Sequence, residues 1–453
     1  MIVALIQAQA LFAGRRLDAK YFASPAVRIR AVLADNPGVT LRRIGGDGGI
    51  ATVFAPKRFK RTYAVEGEEF VPYLRPYDVF EFFPPEADRL SVSRTESLSD
   101  YMIKPGDLLQ TCSGRNLGPL TIADDYLARF ALSHDMLRIS IADEDERLYA
   151  LAFLQSATGQ HLLRGDLSGS VIDHITADEV GAIQIPFIDS IREQVIAEER
   201  IAAERIEDAR NVLYDEVTKV NNLFDASRAV PARSGWTVSA SSLGTRLDAA
   251  FHADHIAGLR DRLVAAGGVR LGDVAQVVKP GGRYKTYYVE PGQGTPLLSG
   301  RQILQLDVVG AKSISARSVA PESGYELRAG WIVFQADGRA EESLGYPSVV
   351  TEDRDGWFAS GHVGRLVPGD PRDTGWLWAA MASDAVQAQV ASLACGSVVD
   401  ALYPDDLANV VLPPRDCVAG DSVSDAWGGL SAALSQRHAV RELFDDALAR
   451  LGV

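Results

Sequence analysis

Cysteine is scarce in this sequence, and its three copies lie far apart. Cys112, Cys395 and Cys417 are odd in number and show no Cys-x-x-Cys spacing. A disulfide framework and a zinc site are therefore not indicated, and we expect a reducing, cytoplasmic compartment. The seven histidines are scattered, and only His252 and His255 share a helix face. Such a pair is more typical of a solvated surface than of a metal site, so we expect no metal and no cofactor.

Long apolar runs are also missing. The opening segment, residues 1–14, has no basic start and carries two Gln residues, which argues against a signal peptide and favours a buried strand or turn. No stretch reaches the roughly 18 to 20 apolar residues that a membrane helix needs. With 453 residues, 47% of them hydrophobic, the chain is long enough for two or three folded domains. We interpret it as a soluble protein.

The chain also lacks an excess of positive charge. Its formal net charge of -14 argues against nucleic-acid binding, because neutralisation of phosphates supplies most of the non-specific affinity for DNA. Many of the acidic residues are clustered, at 143–146 and at 193–208. The objection is therefore weaker if these clusters lie away from a DNA-binding surface.

The sequence also lacks the motifs of the catalytic sites that we considered. Residues 83–86 and 412–415 carry Pro-Pro without the preceding carboxamide or the following aromatic ring that a DNA amino-methyltransferase needs. The run 45–49 is rich in glycine but lacks the Lys-Ser/Thr of a phosphate loop. The Asp-x-Lys at 18–20 has only Ala250 where the repeat described below places its lysine, and no Gly-x-Ser-x-Gly elbow is present. We therefore predict that the chain is not an enzyme.

What the sequence does contain is an internal repeat, visible as blocks that recur in the same order. Their offsets are nearly constant: 246 − 16 = 230, 280 − 56 = 224 and 396 − 169 = 227. The recurring blocks are Arg16–Ala19 with Arg246–Ala249, 56–74 with 280–298, 104–106 with 328–330, and 169–173 with 396–400. Chance would not produce so many pairs in register, so the chain is two copies of one unit.

Each copy reads as a helix, a strand-rich body and a closing helix, which predicts an α+β fold with two tandem, pseudo-symmetric domains. In the first copy, Ser24 and Pro25 mark the start of the opening helix, and in the second copy Gly267 marks its end. The predicted segments are 1–188 for the first β-rich domain, 189–225 for a long helix, 226–235 for a linker, 236–422 for the second domain and 423–453 for a second long helix.

Both long helices carry apolar stripes at three- and four-residue steps. Val195, Ile206 and Leu213 belong to the first stripe, and Leu430 and Leu443 to the second. We predict that the two stripes pack on each other as an antiparallel coiled coil. The alternative is that each helix simply covers its own domain, although about 35 residues at 1.5 Å per residue span more than one small domain needs.

Basic residues with interleaved aromatic residues occur at equivalent places in both copies and precede a strand, which favours exposed loops. Arg and Lys there can reach phosphates or the acceptor edge of guanine. A run of charges is otherwise most often a solvated face. A second pair of polar loops follows the strands after Gly106 and Gly330. The candidate DNA-binding residues are Lys57, Arg58, Lys60, Arg61, Ser113, Arg115 and Asn116 in the first copy, and Arg283, Tyr284, Lys285 and Arg339 in the second.

The order of these blocks resembles the specificity subunits of type I restriction-modification systems over essentially the whole chain. The blocks that carry the resemblance are 72–74 with 296–298, Lys-Pro-Gly-Asp-Leu-Leu at 104–109, 169–173, and Ile185-Pro186 followed by Gln194. The second copy departs from this pattern, since it lacks an equivalent of Gln194 and has Gly428-Gly429 in its long helix.

The resemblance implies two target-recognition domains that each read one half of a split DNA sequence. It also implies long helices that fix the spacer and dock two adenine methyltransferase subunits, with a restriction and translocase subunit as a further partner. Type IIB-like enzymes and other methylation-based phage defence systems use similar subunits. The alternative functions are a scaffold that binds proteins and not DNA, and a self-contained DNA-modifying enzyme. The helix residues assigned to partner docking are Ile206, Leu213, Val220, Leu443 and Leu451.

Overall fold

The structure is a computed structural model that divides into two compact units. Unit 1 comprises residues 1–207 and 433–453, and unit 2 comprises residues 208–432. Among the residues that the structure describes, no helix is long and apolar enough to cross a membrane. The described residues are 22, 24–84, 86, 88–114, 117–165, 173–226, 235–243, 246–280, 285–318, 324–339, 343–396 and 399–453.

Unit 1 opens with a helix whose start follows from its sequence. Ser24 caps it, its hydroxyl accepting a hydrogen bond from the amide of Ala26, and Pro25 occupies the first turn, where its missing N–H costs nothing. Ala26, Ile29 and Leu33 are buried at helical spacing. The predicted cap is therefore confirmed. The helices of the unit 1 body are α1 Pro25–Ala34, α2 Glu144–Gln155, α3 Ala157–Arg164 and α4 Ala177–Ala182, and α5 Asp189–Leu223 begins here.

The strands of unit 1 form one four-stranded sheet and two smaller ones. The main sheet has the order β2-β8-β5-β6, the second has the order β4-β3-β7, and β1 pairs with β9. The main sheet is antiparallel throughout, while β3 and β7 pair in parallel. The strands are β1 Thr40–Arg43, β2 Ala51–Phe54, β3 Phe70–Leu74, β4 Asp88–Ser91, β5 Leu108–Thr111, β6 Leu120–Ile122, β7 Ala131–Leu132, β8 Met136–Ile141 and β9 Gln184–Phe187.

Unit 2 repeats this design. Its main sheet has the order β11-β19-β15-β17, its second sheet β12-β14-β13-β18, and β10 pairs with β21 and β16 with β20. Its strands are β10 Val269–Arg270, β11 Ala275–Val278, β12 Tyr288–Val289, β13 Thr295–Leu298, β14 Lys312–Ile314, β15 Ile332–Gln335, β16 Asp337–Gly338, β17 Pro347–Val349, β18 Phe358–Ala359, β19 Val363–Pro368, β20 Asp400–Ala401 and β21 Val411–Leu412. Its helices are α6 Asp254–Ala265, α7 Leu271–Val274, α8 Thr374–Ala382, α9 Asp384–Leu393, α10 Pro404–Leu407 and α11 Gly420–Arg450, which ends in unit 1.

The two main sheets correspond strand by strand. β11 begins 275 − 51 = 224 residues after β2, β15 begins 332 − 108 = 224 after β5, and β19 begins 363 − 136 = 227 after β8. The parallel pair β3 and β7 recurs as β13 and β18. The predicted α+β fold of two pseudo-symmetric, strand-rich repeats is therefore confirmed.

The two long helices pack together, as predicted. α5 has 35 residues and α11 has 31, and α11 begins three residues before the predicted 423 (423 − 420 = 3). Within unit 1 the helices run antiparallel, because Arg205 contacts Gln436 while Phe187, just before α5, lies with Phe444 against the ring of Tyr149. The stripe residues that face the partner helix are buried, including Val195 in α5 and Leu430 in α11.

The end of each long helix caps a short helix of a repeat body. In unit 1, the carboxylate of Asp445 accepts hydrogen bonds from the amides of Ala157 and Thr158, at 3.0 and 3.1 Å, at the start of α3. In unit 2, the side-chain oxygen of Asn221 accepts one from the amide of Asp384, at 2.8 Å, at the start of α9. α9 is the equivalent of α3, since 384 − 157 = 227. Both caps satisfy amides that a helix cannot pair internally.

Aromatic residues fill the interior of both units. Tyr149 stacks on Phe187 at 4.8 Å and meets Phe444 edge-on at 4.9 Å. Burial raises the pKa of Tyr149 to about 12, since the charged phenolate is disfavoured there. In unit 2, Trp378 packs edge-on against Trp427 at 5.4 Å.

Two short acidic segments form helices, and some predicted segments lie outside the described residues. The acidic segments are α4 and α10, because Thr176 with Glu179 forms a capping box and Pro404 starts a turn of helix. Outside the described residues lie the opening segment, the Asp-x-Lys at 18–20, most of the linker 226–235 and most of the block 169–173.

Candidate nucleic-acid interface

The basic loop of the first repeat is exposed and anchored by aromatic residues. Phe59 stacks on Tyr101 with ring centroids 3.9 Å apart, and the hydroxyl of Tyr101 donates a hydrogen bond to the carbonyl of Lys57 at 3.1 Å. The anchor fixes the middle of the loop between the cations, and the Arg61 guanidinium lies 5.8 Å from the ring centroid of Tyr73. Lys57, Arg58, Lys60 and Arg61 are all exposed, as the sequence predicts.

Sheet topology brings the second polar loop of this repeat to the same place. β2 and β5 both run antiparallel to β8, so they are parallel to each other and end at one edge of the sheet. Phe54, the last residue of β2, pairs with Arg138, and Thr111, the last of β5, pairs with Met136. The loop after β2 therefore lies about 10 Å from the loop that begins with Ser113, two strand spacings away.

The second repeat has the same arrangement. β11 and β15 both run antiparallel to β19, and Val278 and Gln335 end them at one edge of the sheet. Lys285 and Arg339 follow these strands and are exposed. The Lys285 ammonium lies 4.8 Å from the ring of Tyr287. Both repeats therefore present their basic residues at the equivalent edge of the main sheet, which we call the loop edge.

The acidic cluster at 143–146 lies at the opposite edge. β8 starts at the loop edge with Met136 and ends at Ile141, five residues or about 17 Å further on. Asp143 follows that end and caps α2, and Arg42 and Arg200 pair with acids of the cluster. This part of the negative charge therefore leaves the loop edge of the first repeat free for an anionic partner.

Matched hydrogen bonds show that the two loop edges are built alike. In the first repeat the amide of Cys112 donates to the carbonyl of Asp135, and the amide of Ile175 donates to the carbonyl of Cys112. In the second repeat, Ala336 replaces Cys112, and its bonds go to His362 and Leu402 in the same way. The offsets are 336 − 112 = 224, 362 − 135 = 227 and 402 − 175 = 227.

Sequence reasoning missed a charged network at the loop edge of the second repeat. The Lys279 ammonium donates to Oδ1 of Asp337 at 2.7 Å, and Nδ1 of His362 donates to Oδ2 of Asp337 at 2.9 Å. These residues border three different strands, so only their pairing brings them together. A signal was present in the turn itself, since Ser113-Gly114-Arg115 and Asp337-Gly338-Arg339 align at the offset 337 − 113 = 224.

A pair of exposed tyrosines was also overlooked. Tyr63 and Tyr287 occupy equivalent positions (287 − 63 = 224), and each is 46% exposed. Each follows the basic loop of its repeat and pairs its backbone with the small sheet. An exposed aromatic ring beside Arg and Lys suits contact with sugar and phosphate of a nucleic acid.

A buried arginine supports the loop edge in each repeat. Arg138 donates to the carbonyl of Asp100 at 2.6 Å and also to that of Met102, and Arg365 donates to those of Val363 and Tyr325. Burial lowers the pKa of Arg138, yet a guanidinium stays charged at neutral pH. These arginines hold the chain behind the loops and are not exposed to a ligand.

The helix residues assigned to partner docking lie inside the chain. Ile206, Leu213 and Val220 are buried, and Leu443 and Leu451 are partly buried against the unit 1 core. Four of them belong to the apolar stripes of the helix pair, and Leu451 follows the end of α11, so all five already pack within the chain. On its outward face, α5 exposes the apolar side chains of Ile201 and Leu223.

Four of the predicted DNA-binding residues, Arg115, Asn116, Arg283 and Tyr284, lie outside the described residues. Within the described part of the chain, no group of three or more His, Cys, Asp or Glu side chains is arranged to hold a metal ion. Ser113 pairs its backbone with His174 next to Asp173, which ends the block 169–173. Asp173, the described residue of this block, therefore borders the loop edge in the first repeat.

Comparison with known proteins finds similar solved structures only. No family model and no curated protein sequence matches the chain. The S subunit of the type I restriction-modification system of M. genitalium aligns with 92% of this chain and 96% of its own, at 15% identity and a TM-score of 0.27. The HsdS subunit of Thermoanaerobacter tengcongensis aligns with 92% and 94%, at 16% identity and a TM-score of 0.26. A structure from a study of type I complex assembly aligns with 92% and 97%, at 16% identity and a TM-score of 0.28.

Proposed function

We propose that the protein is the DNA-recognition subunit of a type I-like restriction-modification complex. One observation carries the proposal: both repeats present basic and polar loops at the same edge of matched sheets. A duplicated scaffold with a common frame and different loop residues suits the reading of two different half-sites. Each repeat then binds one half of a two-part DNA sequence, and the subunit itself performs no chemistry.

The cations of the loop edge supply affinity that does not depend on sequence. Lys57, Arg58, Lys60 and Arg61 of the first repeat, and Lys285 of the second, approach phosphates, while the turns that begin with Ser113 and Asp337 face the bases. The anchoring of Phe59 on Tyr101 holds the first loop in place before DNA arrives, which reduces the entropy lost on binding.

The long helices fix the spacer and recruit partners. At 1.5 Å per residue, the 35 residues of α5 extend over about 52 Å, enough to separate two half-sites by a set distance. Their outward face, with Ile201 and Leu223 on α5, docks two adenine methyltransferase subunits, one for each repeat. A restriction and translocase subunit joins this assembly.

The first experiment is to purify the tagged chain from its native cell, identify bound proteins by mass spectrometry and map methylated adenines in a strain that lacks the chain. We expect a methyltransferase among the partners and loss of methylation at one two-part sequence. Absence of a methyltransferase together with an unchanged methylation map would refute the proposal and favour a protein-binding scaffold. Methylation or cleavage by the isolated chain would show that it is itself an enzyme.

A second experiment tests the loop edge directly. The double variant Lys60→Ala/Arg61→Ala is expected to weaken DNA binding and to reduce the slope of log K against log salt by about 2, since each phosphate contact contributes about 0.9. The matched control is Arg28→Ala/Lys104→Ala, which removes the same charge from exposed positions on α1 and at the opposite edge of the sheet. Equal slopes for the two double variants would remove the loop from the interface.

A further inference from the structure

The loop edges of the two repeats differ at three equivalent positions. One position immediately follows a matched strand, one lies in the matched turn, and one immediately precedes a matched strand. The second repeat has Lys279 after β11, Asp337 in the turn and His362 before β19. The first repeat has Ala55, Ser113 and Asp135. The backbone hydrogen bonds of the two loop edges match, so the difference lies in the chemistry of the side chains.

From this difference we propose that the two repeats read bases of opposite hydrogen-bonding character at this site, an inference that rests on the proposed function. The second repeat donates hydrogen bonds to the acceptor edge of a guanine. The first repeat accepts a hydrogen bond from the amino group of an adenine or a cytosine.

The donor site of the second repeat is organised by Asp337. A carboxylate only accepts hydrogen bonds, so it orients the Nδ1–H of His362 and one hydrogen of the Lys279 ammonium towards itself. Lys279 also contacts the carbonyl of Leu402 at 3.4 Å and lies 5.8 Å from the ring centroid of Tyr403, and its side chain is 20% exposed, which leaves the ammonium open to a ligand on one side. The His362 side chain is 66% exposed, and its hydrogen bond to Oδ2 holds the Asp337 carboxylate in place beside the Lys279 ammonium, so Lys279 is the group that donates to a ligand.

At these three positions the first repeat has no cation. Ala55 takes the place of Lys279, and Ser113 takes the place of the organising carboxylate. Asp135 stands where His362 stands, its side chain is 43% exposed, and its Oδ2 lies 3.8 Å from Nε2 of His134. A half-exposed carboxylate in this position accepts hydrogen bonds and repels the acceptor edge of guanine.

The major groove distinguishes these two chemistries. Guanine presents N7 and O6, both acceptors, whereas cytosine N4 and adenine N6 are amino groups that donate. Arg115 and Arg339 are common to both turns, so they do not account for a difference between the repeats. The residues that differ between otherwise equal frames are the ones placed to read sequence.

The test is selection of bound duplexes from a pool of randomised DNA by the purified full-length chain, followed by sequencing. For His362→Ala and Lys279→Met, discrimination in favour of guanine at one position is expected to fall by about 5- to 150-fold. The other half of the recognised sequence is expected to stay unchanged. Asp135→Asn should alter one position of that other half only, and His362→Asp should shift the guanine preference towards adenine or cytosine.

The outcomes separate this inference from the proposed function. If the unaltered chain selects no two-part sequence, the proposed function itself fails. If it does select one and His362→Ala leaves both halves unchanged, only this inference fails. An equal loss of affinity for all sequences would show a phosphate contact and would also overturn it. Lys312→Ala, another exposed cation of unit 2, is the matched control, and equal thermal midpoints of all variants show that each one folds.

Discussion

The ion pair between the long helices offers a sharp test of the structure. Nε of Arg437 donates to Oε2 of Glu199 at 3.2 Å, and the two side chains are 4% and 0% exposed. Removing the carboxylate in Glu199→Ala leaves the buried guanidinium of Arg437 without this ion-pair partner, which lowers the free energy of unfolding by about 3 to 5 kcal/mol. Proteins of this kind are stable by only about 5 to 15 kcal/mol, so unit 1 would lose a large part of its stability.

The tryptophan positions make the effect easy to localise. All six tryptophans, at positions 236, 331, 357, 376, 378 and 427, lie within residues 208–432, which form unit 2. Unfolding in urea followed by tryptophan fluorescence therefore reports on unit 2, whereas far-ultraviolet circular dichroism reports on both units. With a slope of about 2 to 3 kcal/mol per M, the dichroism midpoint of unit 1 should fall by about 1 to 2.5 M urea.

Two further variants complete the test. Replacing both partners, in Glu199→Met/Arg437→Met, removes the stranded charge and should restore most of the stability, because well-packed apolar residues often equal or exceed a buried ion pair. Glu204→Ala, an exposed position on the same helix, should change the unfolding free energy by no more than about 0.5 kcal/mol. The argument is refuted if Glu199→Ala leaves the dichroism midpoint unchanged, or if the double variant is as unstable as the single one.

Three more predictions concern the caps, the thiols and a surface carboxylate. Asp445→Ala should lower the stability of unit 1, and Asn221→Ala that of unit 2, each by about 1 kcal/mol, as measured by dichroism and by tryptophan fluorescence. Iodoacetamide at about pH 8 should label the exposed Cys395 and spare Cys112, because burial raises the pKa of the Cys112 thiol to about 12 and leaves little thiolate; mass spectrometry reads the result. Glu68→Gln should lower the thermal midpoint at pH 7, an effect that disappears as the pH falls from 4.5 towards 2.

The sign of the last effect follows from the arginine beside the carboxyl. Hydrogen bonds from Arg94 hold the pKa of Glu68 at about 2, below its ordinary value of 4.5, so its stabilising contribution is present above 4.5 and is lost as the carboxyl is protonated. Glu69→Gln is the control, and an equal loss there would contradict the assignment. Labelling of Cys112 before Cys395, or a fluorescence shift caused by Asp445→Ala and not by Asn221→Ala, would contradict the other two.

The repeat and the long helices could be predicted from sequence because they depend on local patterns. Offsets between blocks are visible without coordinates, and apolar residues at three- and four-residue steps indicate a helix that packs on another. The exposed basic loop at 57–61 was predictable for the same reason, since charged residues next to a strand seldom become buried.

Other features depend on pairing across the sheet, which one sequence does not reveal. Lys279, Asp337 and His362 are separated by 58 and 25 residues (337 − 279 and 362 − 337), and only the register of three strands unites them. Sequence reasoning did not single out the buried Glu199 within the acidic cluster at 193–208. Its spacing of four from Val195 and three from Ala202 nevertheless places it on the apolar stripe, where a charge signals a buried partner.

Each long helix has residues in both units, and this affects the order in which the units are completed during synthesis. Residues 433–453 complete unit 1, where Phe444 enters the core and Asp445 caps α3, yet they follow the whole of unit 2 in the sequence. A ribosome that works from the N-terminus therefore releases the body of the first repeat long before its last helical segment exists. The first repeat therefore stays incomplete until the second has been synthesised. Premature termination near residue 432 would leave unit 1 without its last helical segment, whereas unit 2 would have all of its residues.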